Sequence, residues 1–345
     1  MADSFNFENK LSKTIRDASW QSLTNILLSN KDVDFALIAG DLFERSYFTA
    51  KDFKRLFEIF EDFSKDIYYV AGNHDYIDNY NKIFLRNSPL NFHVFGSDAL
   101  EMFEKNDLRV YGISYDDRTF SKKVDLNIKL DSNYFNILLI HGDLDRKASS
   151  YFNLDSKLIK KTAFDYVAMG HIHKRSKIAN IYYPGSLEPH DFSDIYDYGY
   201  IYYEDSKVDF VNSSILKFYD FKLDFEDFAN ENDLVTFVNN KLNPDKTNIL
   251  RLEITAERAL DDKYIEKNLY AYYKELSIRD DFSFTDIVKL YPNSLLSMYI
   301  DKFSNSDGEI ENLARKLGID AILRSKDDWN FYQRTLFIIL REIWR

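Results

Sequence analysis

The chain has 345 residues, 45% hydrophobic and 30% charged, enough to bury a full-sized core and leave room for a second, smaller unit. With no cysteine it can build neither a disulfide framework nor a thiolate metal site, so any metal must be held by His, Asp, Glu or Asn. A net charge of -12 argues against a surface that attracts nucleic acid as a whole, though not against a local basic groove.

The opening MADSFNFENK lacks the basic and apolar regions of a secretory signal, and no apolar stretch approaches a membrane span, so the expectation is a cytoplasmic protein with no membrane association. Lys13 to Ser29 places Ile15, Trp20, Leu23, Ile26 and Leu27 at near-helical spacing, and the run Phe35 to Ala39 then reads as a buried strand. The same event recurs down the chain. Ile67 to Ala71 runs into Gly72-Asn73-His74-Asp75, Ile137 to Ile140 into His141-Gly142, Tyr166 to Met169 into Gly170-His171-Ile172-His173, and Ile181 to Tyr183 into Pro184-Gly185-Ser186. Buried strands whose carboxyl ends release polar groups into loops are how layered α/β proteins build sites. Those groups are expected to converge on one edge of a sheet.

Tyr198 to Tyr203 and Lys207 to Val211 read as a hairpin closing this unit near residue 212. Beyond it the pattern predicts strand (Phe218 to Leu223), helix (Glu231 to Leu242), strand (Asn248 to Ile254), helix (Tyr264 to Leu276) and strand (Phe282 to Leu290), a compact α+β appendage. Residues 293–345 read as helical, with Trp329, Tyr332, Leu336, Ile339, Leu340 and Ile343 on one stripe. The aromatic content of 17% is spread through strands and helices and reads as core, not as base-stacking platforms.

In chain order the strand-end motifs supply one carboxylate (Asp41, after Gly40), one amide oxygen (Asn73) and four imidazoles (His74, His141, His171, His173). These are donors for hard or borderline divalent metals. Hydrolysing a phosphate ester requires neutralising an oxyanion and making hydroxide at neutral pH, which two metal ions sharing a carboxylate can do. Asp41 is the obvious bridge, and Asn73 adds a donor without adding charge.

The series Gly40-Asp41, Gly72-Asn73-His74-Asp75, His141-Gly142 and Gly170-His171-Ile172-His173 resembles the calcineurin-like metallophosphoesterases. The flanking Ala39-Gly40-Asp41-Leu42-Phe43 and the run Tyr182 to Glu188 are similar to the SbcD-type nuclease subunit of bacterial double-strand-break repair. The resemblance implies an α/β fold, a four-layer α-β-β-α metallophosphoesterase sandwich over residues 1–212, a small α+β capping domain over 213–292, and a helical C-terminal tail over 293–345. It implies that Asp41 bridges two divalent ions, manganese first, with magnesium, zinc or iron as alternatives. Asn73, His141 and His171 would then hold one ion, His173 would help hold the other, and His74 would protonate the leaving oxygen. DNA is the implied substrate and an SbcC-like coiled-coil ATPase the implied partner, with the C-terminal helix either docking that partner or packing back on its own protein, and a homodimer as a further expectation.

Family members begin with a strand ending in Asp-x-His that supplies two ligands to the first metal, and no such motif precedes Asp41. The expectation is that this chain starts just downstream of it, through a misplaced start, trimming or natural loss of activity, and that the first metal binds poorly. Two rival readings follow: a phosphodiesterase or phosphatase acting on a small phosphoester, and a catalytically silent scaffold. Among the remaining residues, His190 is assigned to substrate contact and His93 to an ordinary strand position. Asp143 and Asp145 read as turn-forming acids, and Glu44 as an acid on the surface or just behind the ligands.

Overall fold

The structure, a computed structural model, describes residues 2–280 apart from 194 and 257–259, with side chains from 10 to 279. In chain order the elements are α1 (Ala2–Ser29), β1 (Phe35–Ala39), α2 (Ala50–Phe63), β2 (Asp66–Val70), α3 (Asn79–Leu85), β3 (Phe92–Val94), β4 (Glu101–Lys105), β5 (Leu108–Gly112) and β6 (Phe135–His141). They continue with β7 (Asp143–Leu144), β8 (Asn153–Leu154), α4 (Ser156–Thr162), β9 (Tyr166–Gly170), β10 (Ser176–Ile178), β11 (Ile181–Tyr183), β12 (Gly199–Glu204) and β13 (Lys207–Asn212). Last come β14 (Leu216–Asp224), α5 (Glu231–Lys241), β15 (Thr247–Ala256), α6 (Asp262–Asn268) and β16 (Tyr273–Asp280). The described residues divide into two compact units: those up to Asp220 with Leu242–Arg251 and Tyr270–Lys274, and Phe221–Lys241 with Leu252–Leu269 and residues 275–280.

The first unit holds a parallel sheet β1-β2-β3 and a six-stranded sheet β10-β11-β9-β6-β5-β4, parallel from β11 to β5 and antiparallel at both ends. Strand β6 is buried along nearly its whole length, which is why its sequence is almost unbroken apolar rather than alternating. Alternate residues of β2 face opposite ways. Ile67 and Tyr69 pack with Trp20 and Leu27 of α1 and Leu56, Ile59, Phe60 and Phe63 of α2. Tyr68 and Val70, with Phe35 and Leu37 of β1, pack instead against Val110, Ile137, Leu139, Tyr166 and Ala168 of the larger sheet. The outer side of that sheet presents Leu138, Ile140, Val167 and Met169 to Ile159 of α4 and to Leu126, Phe152 and Phe164.

Helix α2 was not anticipated from periodicity, yet its start is written locally. The Thr49 hydroxyl accepts the Asp52 N–H while the Asp52 carboxylate accepts the Thr49 N–H at 2.9 Å, a reciprocal cap, and Ser64 closes the helix at φ 62°. The helix expected over 264–276 is corrected by the structure: α6 ends at Asn268 and Tyr273–Asp280 is strand. The physical reason is a switch to period two. Tyr270 and Tyr272 are exposed while Ala271 and Tyr273 between them are buried, an alternation only an extended chain produces.

In the second unit α5 buries Leu234, Val235 and Val238, α6 buries Ile265, and β15 contributes Leu252 and Ile254. The strand expected over 282–290 and the helical region over 293–345 lie outside the described residues.

Candidate metal centre

Strand register sets the site. Ala39 of β1 pairs with Val70 of β2, and His141 of β6 pairs with Gly170 of β9, so the residues that follow leave both sheets at their carboxyl ends. Glycine permits the sheets to meet there. Gly40 sits at φ 85° with its face against the His141 ring, and a Cβ on Gly170 would land on the Ala39 carbonyl. Two candidate ligands, Asp41 (φ 52°) and His171 (φ 95°), occupy the left-handed region themselves.

Asp41, His141 and His171 bring one ligand atom each to within 4.8 Å of one another. Asn73 Oδ1 joins them, 3.0 Å from His141 Nε2 and 3.2 Å from His171 Nδ1. The tautomer of His141 follows from its surroundings: Nδ1 donates to the Ala39 carbonyl at 2.8 Å, which in the neutral ring leaves a lone pair on Nε2. That lone pair faces Asn73 Oδ1 and, at 3.2 Å, Asp41 Oδ2, both acceptors. Three acceptors aimed at one point need a cation or a proton between them. Without a metal the proton serves, so the Asp41 contact raises His141 above its ordinary value although burial opposes the charge. Asp41 is held below its ordinary value despite its own burial, through His141 and the backbone of His74. His171 is lowered by burial and by its neighbour His141, which keeps a neutral ring for coordination. The donor set fits a divalent ion.

Two predicted residues stand beside this group. His74 is half exposed, its N–H donates to Asp41 Oδ1 at 2.9 Å, and its Nδ1 lies 2.7 Å from Glu44 Oε2. Burial works against ionised Glu44, yet the contact with His74 holds it below its ordinary value. The ring nitrogen that meets this carboxylate therefore carries the proton. His173 is not in the compact group; its ring lies 5.0 Å from that of His190, and both are exposed. His93 lies elsewhere, paired with Asp66 at 2.9 Å and stacked on Tyr68.

Asp75, quoted in the motif but given no role there, is the chief omission. It is almost fully buried and accepts from the backbone N–H groups of Asp41 (3.1 Å), Leu42 (2.6 Å) and Gly72 (2.6 Å) and from Tyr69 Oη (2.7 Å). One carboxylate thus ties the two ligand-bearing turns together. Burial and the charge of Asp41 push it up, and those donors pull the other way. Asp75→Asn turns one acceptor into a donor facing donors, and we expect it to cost about 1–3 kcal/mol in urea unfolding and to loosen metal binding. Unchanged stability and unchanged manganese affinity would remove this role. The only sequence signal was position, one residue after His74.

The His141-Gly142 turn is pinned from behind by Tyr115, which donates to the His141 carbonyl at 3.0 Å, and Tyr183, which donates to the Gly142 carbonyl at 2.9 Å. Asp145 does form a turn, at φ 52° and accepting from the Ser156 N–H. Asp143 does more than that. It is buried, bound to Ser149 Oγ at 2.5 Å, and 3.8 Å from His171 Nε2, a carboxylate behind a ligand imidazole.

Comparison with known proteins agrees with this geometry. Residues 14–175, just under half of the chain, match the calcineurin-like phosphoesterase family. It is also similar, at 28% identity over 204 residues covering 54% of this chain, to YhaO of Bacillus subtilis (strain 168), described as an uncharacterized metallophosphoesterase. The match spans 49% of that protein, so the chain covers about half the length of this curated relative.

Proposed function

We propose, proceeding from the match of residues 14–175 to the calcineurin-like phosphoesterase family, that this protein is a metal-dependent phosphodiesterase acting on DNA. The observation that carries the reading is the convergence of Asp41, Asn73, His141 and His171 on one point with His74 and Glu44 beside it. Asp41, His141, His171 and Asn73 would hold a divalent ion, and His173 would contribute to a second. Such ions, when bound, supply Lewis acidity at the phosphoryl oxygens and lower the pKa of water.

The chain's own residues do the rest. Asp75 keeps the Asp41 and Asn73 turns at fixed separation, so the ligands need not be ordered at the moment of binding. His74, held by Glu44 through its protonated Nδ1, would act as a general acid in its imidazolium form, giving the Nε2 proton to the departing oxygen. The opposed packing of the two sheets, with α1 and α2 on one outer side and α4 on the other, supports a four-layer α-β-β-α sandwich. Among the described residues no helix is long and apolar enough to cross a membrane. Within this reading, the C-terminal region docks an ATPase partner.

The net charge of -12 favours a second reading, hydrolysis of a small phosphoester, because a polyanion gains little from an acidic surface. Manganese-dependent cleavage of linear duplex DNA beside bis-p-nitrophenyl phosphate separates the two. We expect both to be cleaved; cleavage of the small diester alone would select the second reading, and cleavage of neither would reject both.

A further inference from the structure

Of the three arginines in the loops that follow β1, β6 and β9, two are committed. Arg45 is paired with Asp78 and lies over the Tyr76 ring, and Arg175 is bound to Asn212 at 2.8 Å and Asp197 at 3.4 Å. Arg146, after β6, is different. Its side chain is 61% exposed, and among the described residues its guanidinium meets Asp143 Oδ1 alone, through Nη1 at 3.2 Å, leaving most of its five donors to spare.

The loop that carries it is rigid. Short strands β7 and β8 pair, the Asp145 N–H donates to the Leu154 carbonyl at 2.9 Å, and Asn153 grips Arg146 on both backbone groups, accepting its N–H at 2.9 Å and donating to its carbonyl at 2.6 Å. A long cation is thus presented from a fixed backbone, not from a floppy tip. Its direction is set as well, because Asp143, which anchors the guanidinium, is the carboxylate lying 3.8 Å behind His171. Both contacts are to the same oxygen, Asp143 Oδ1, so the guanidinium stands beside the ligand His171, joined to it through one carboxylate. A cation there is within reach of a polyanion that runs past the metal centre.

We propose that Arg146 is a phosphate-binding residue that holds the phosphate neighbouring the one being cleaved, and so favours a polynucleotide over a small phosphoester. The assignment rests on the phosphodiesterase reading above. A planar guanidinium with two or more free N–H groups matches phosphate oxygens, and a contact of this kind adds affinity that depends on salt through counterion release.

The test uses the full chain with manganese, an end-labelled oligonucleotide followed by fluorescence anisotropy at rising salt, and steady-state hydrolysis of the same oligonucleotide beside bis-p-nitrophenyl phosphate. Arg146→Ala is expected to weaken oligonucleotide binding about tenfold and to flatten the slope of log affinity against log salt by about 0.7 to 0.9, the share of one phosphate contact. KM for the oligonucleotide should rise far more than KM for the small diester, and Arg146→Lys should keep most of the salt slope. Equal losses on both substrates, as expected if Arg146 merely props Asp143 and His171, would overturn the assignment and leave the phosphodiesterase reading standing. So would an unchanged salt slope. A wild-type protein that neither binds nor cuts the oligonucleotide would sink the DNA reading and Arg146 with it.

Discussion

Asp41→Asn is expected to weaken manganese binding on the order of 100-fold or more, since losses confined to residues behind the ligands already cost ~10- to 100-fold. The substitution keeps an oxygen of the same reach, so the hydrogen bond from the His74 N–H can persist, and what is removed is the negative charge. That charge neutralises the cation and is the strongest anionic donor in the group with His141 and His171. Calorimetric titration of manganese into chelator-treated protein reads the affinity directly, and circular dichroism checks that the sheets survive. An affinity equal to wild type would mean that the convergence of acceptors at His141 Nε2 answers to the proton alone. Hydrolysis should fall in step with occupancy and return in part at high manganese.

His74→Ala is expected to act differently, lowering kcat by about 10²- to 10⁴-fold for a substrate that leaves as an alkoxide, with little change in manganese affinity. The reason lies in where His74 sits. It is half exposed, reaches Asp41 only through its backbone N–H, and commits one ring nitrogen to Glu44, so its ring is free to serve the leaving group and is not needed to hold the ion. A leaving group that departs readily as an anion needs no proton, so the loss on bis-p-nitrophenyl phosphate should be much smaller than the loss on an alkyl diester. Glu44→Gln should follow the same leaving-group dependence with a smaller loss, because it misorients the acid without deleting it. Equal losses on both esters would argue that His74 binds the phosphate instead of protonating the departing oxygen.

Much of this site was legible in one dimension because each candidate ligand follows an apolar run, and a parallel strand buried on both faces has no other way to end than in a polar turn. His141 at the end of Phe135–His141 and His171 after Tyr166–Gly170 are cases of one rule, and Asp41 follows a half-buried apolar edge strand, Phe35–Ala39. The appendage was harder. Tyr270 to Tyr273 offers aromatic residues to either period, and only the burial of Ala271 and Tyr273 against the exposure of their neighbours makes it a strand. Asp75 draws no role from the sequence and Asp143 reads only as a turn-forming acid, because an acid in a turn looks the same whether it faces water or buried donors.

The sequence by itself determined the donor types, their order and their placement at strand ends, because residue chemistry and hydrophobic period are local properties. Tertiary structure alone decided which of them meet. Asp41 and Asn73 come from one sheet and His141 and His171 from another, and their approach depends on inter-sheet packing through Leu37, Val70, Leu139 and Ala168, contacts between residues far apart in the chain. The same packing left His173 with His190 instead of in the compact group, and put Asp143 and Arg146 behind His171, relations that no spacing along the chain encodes.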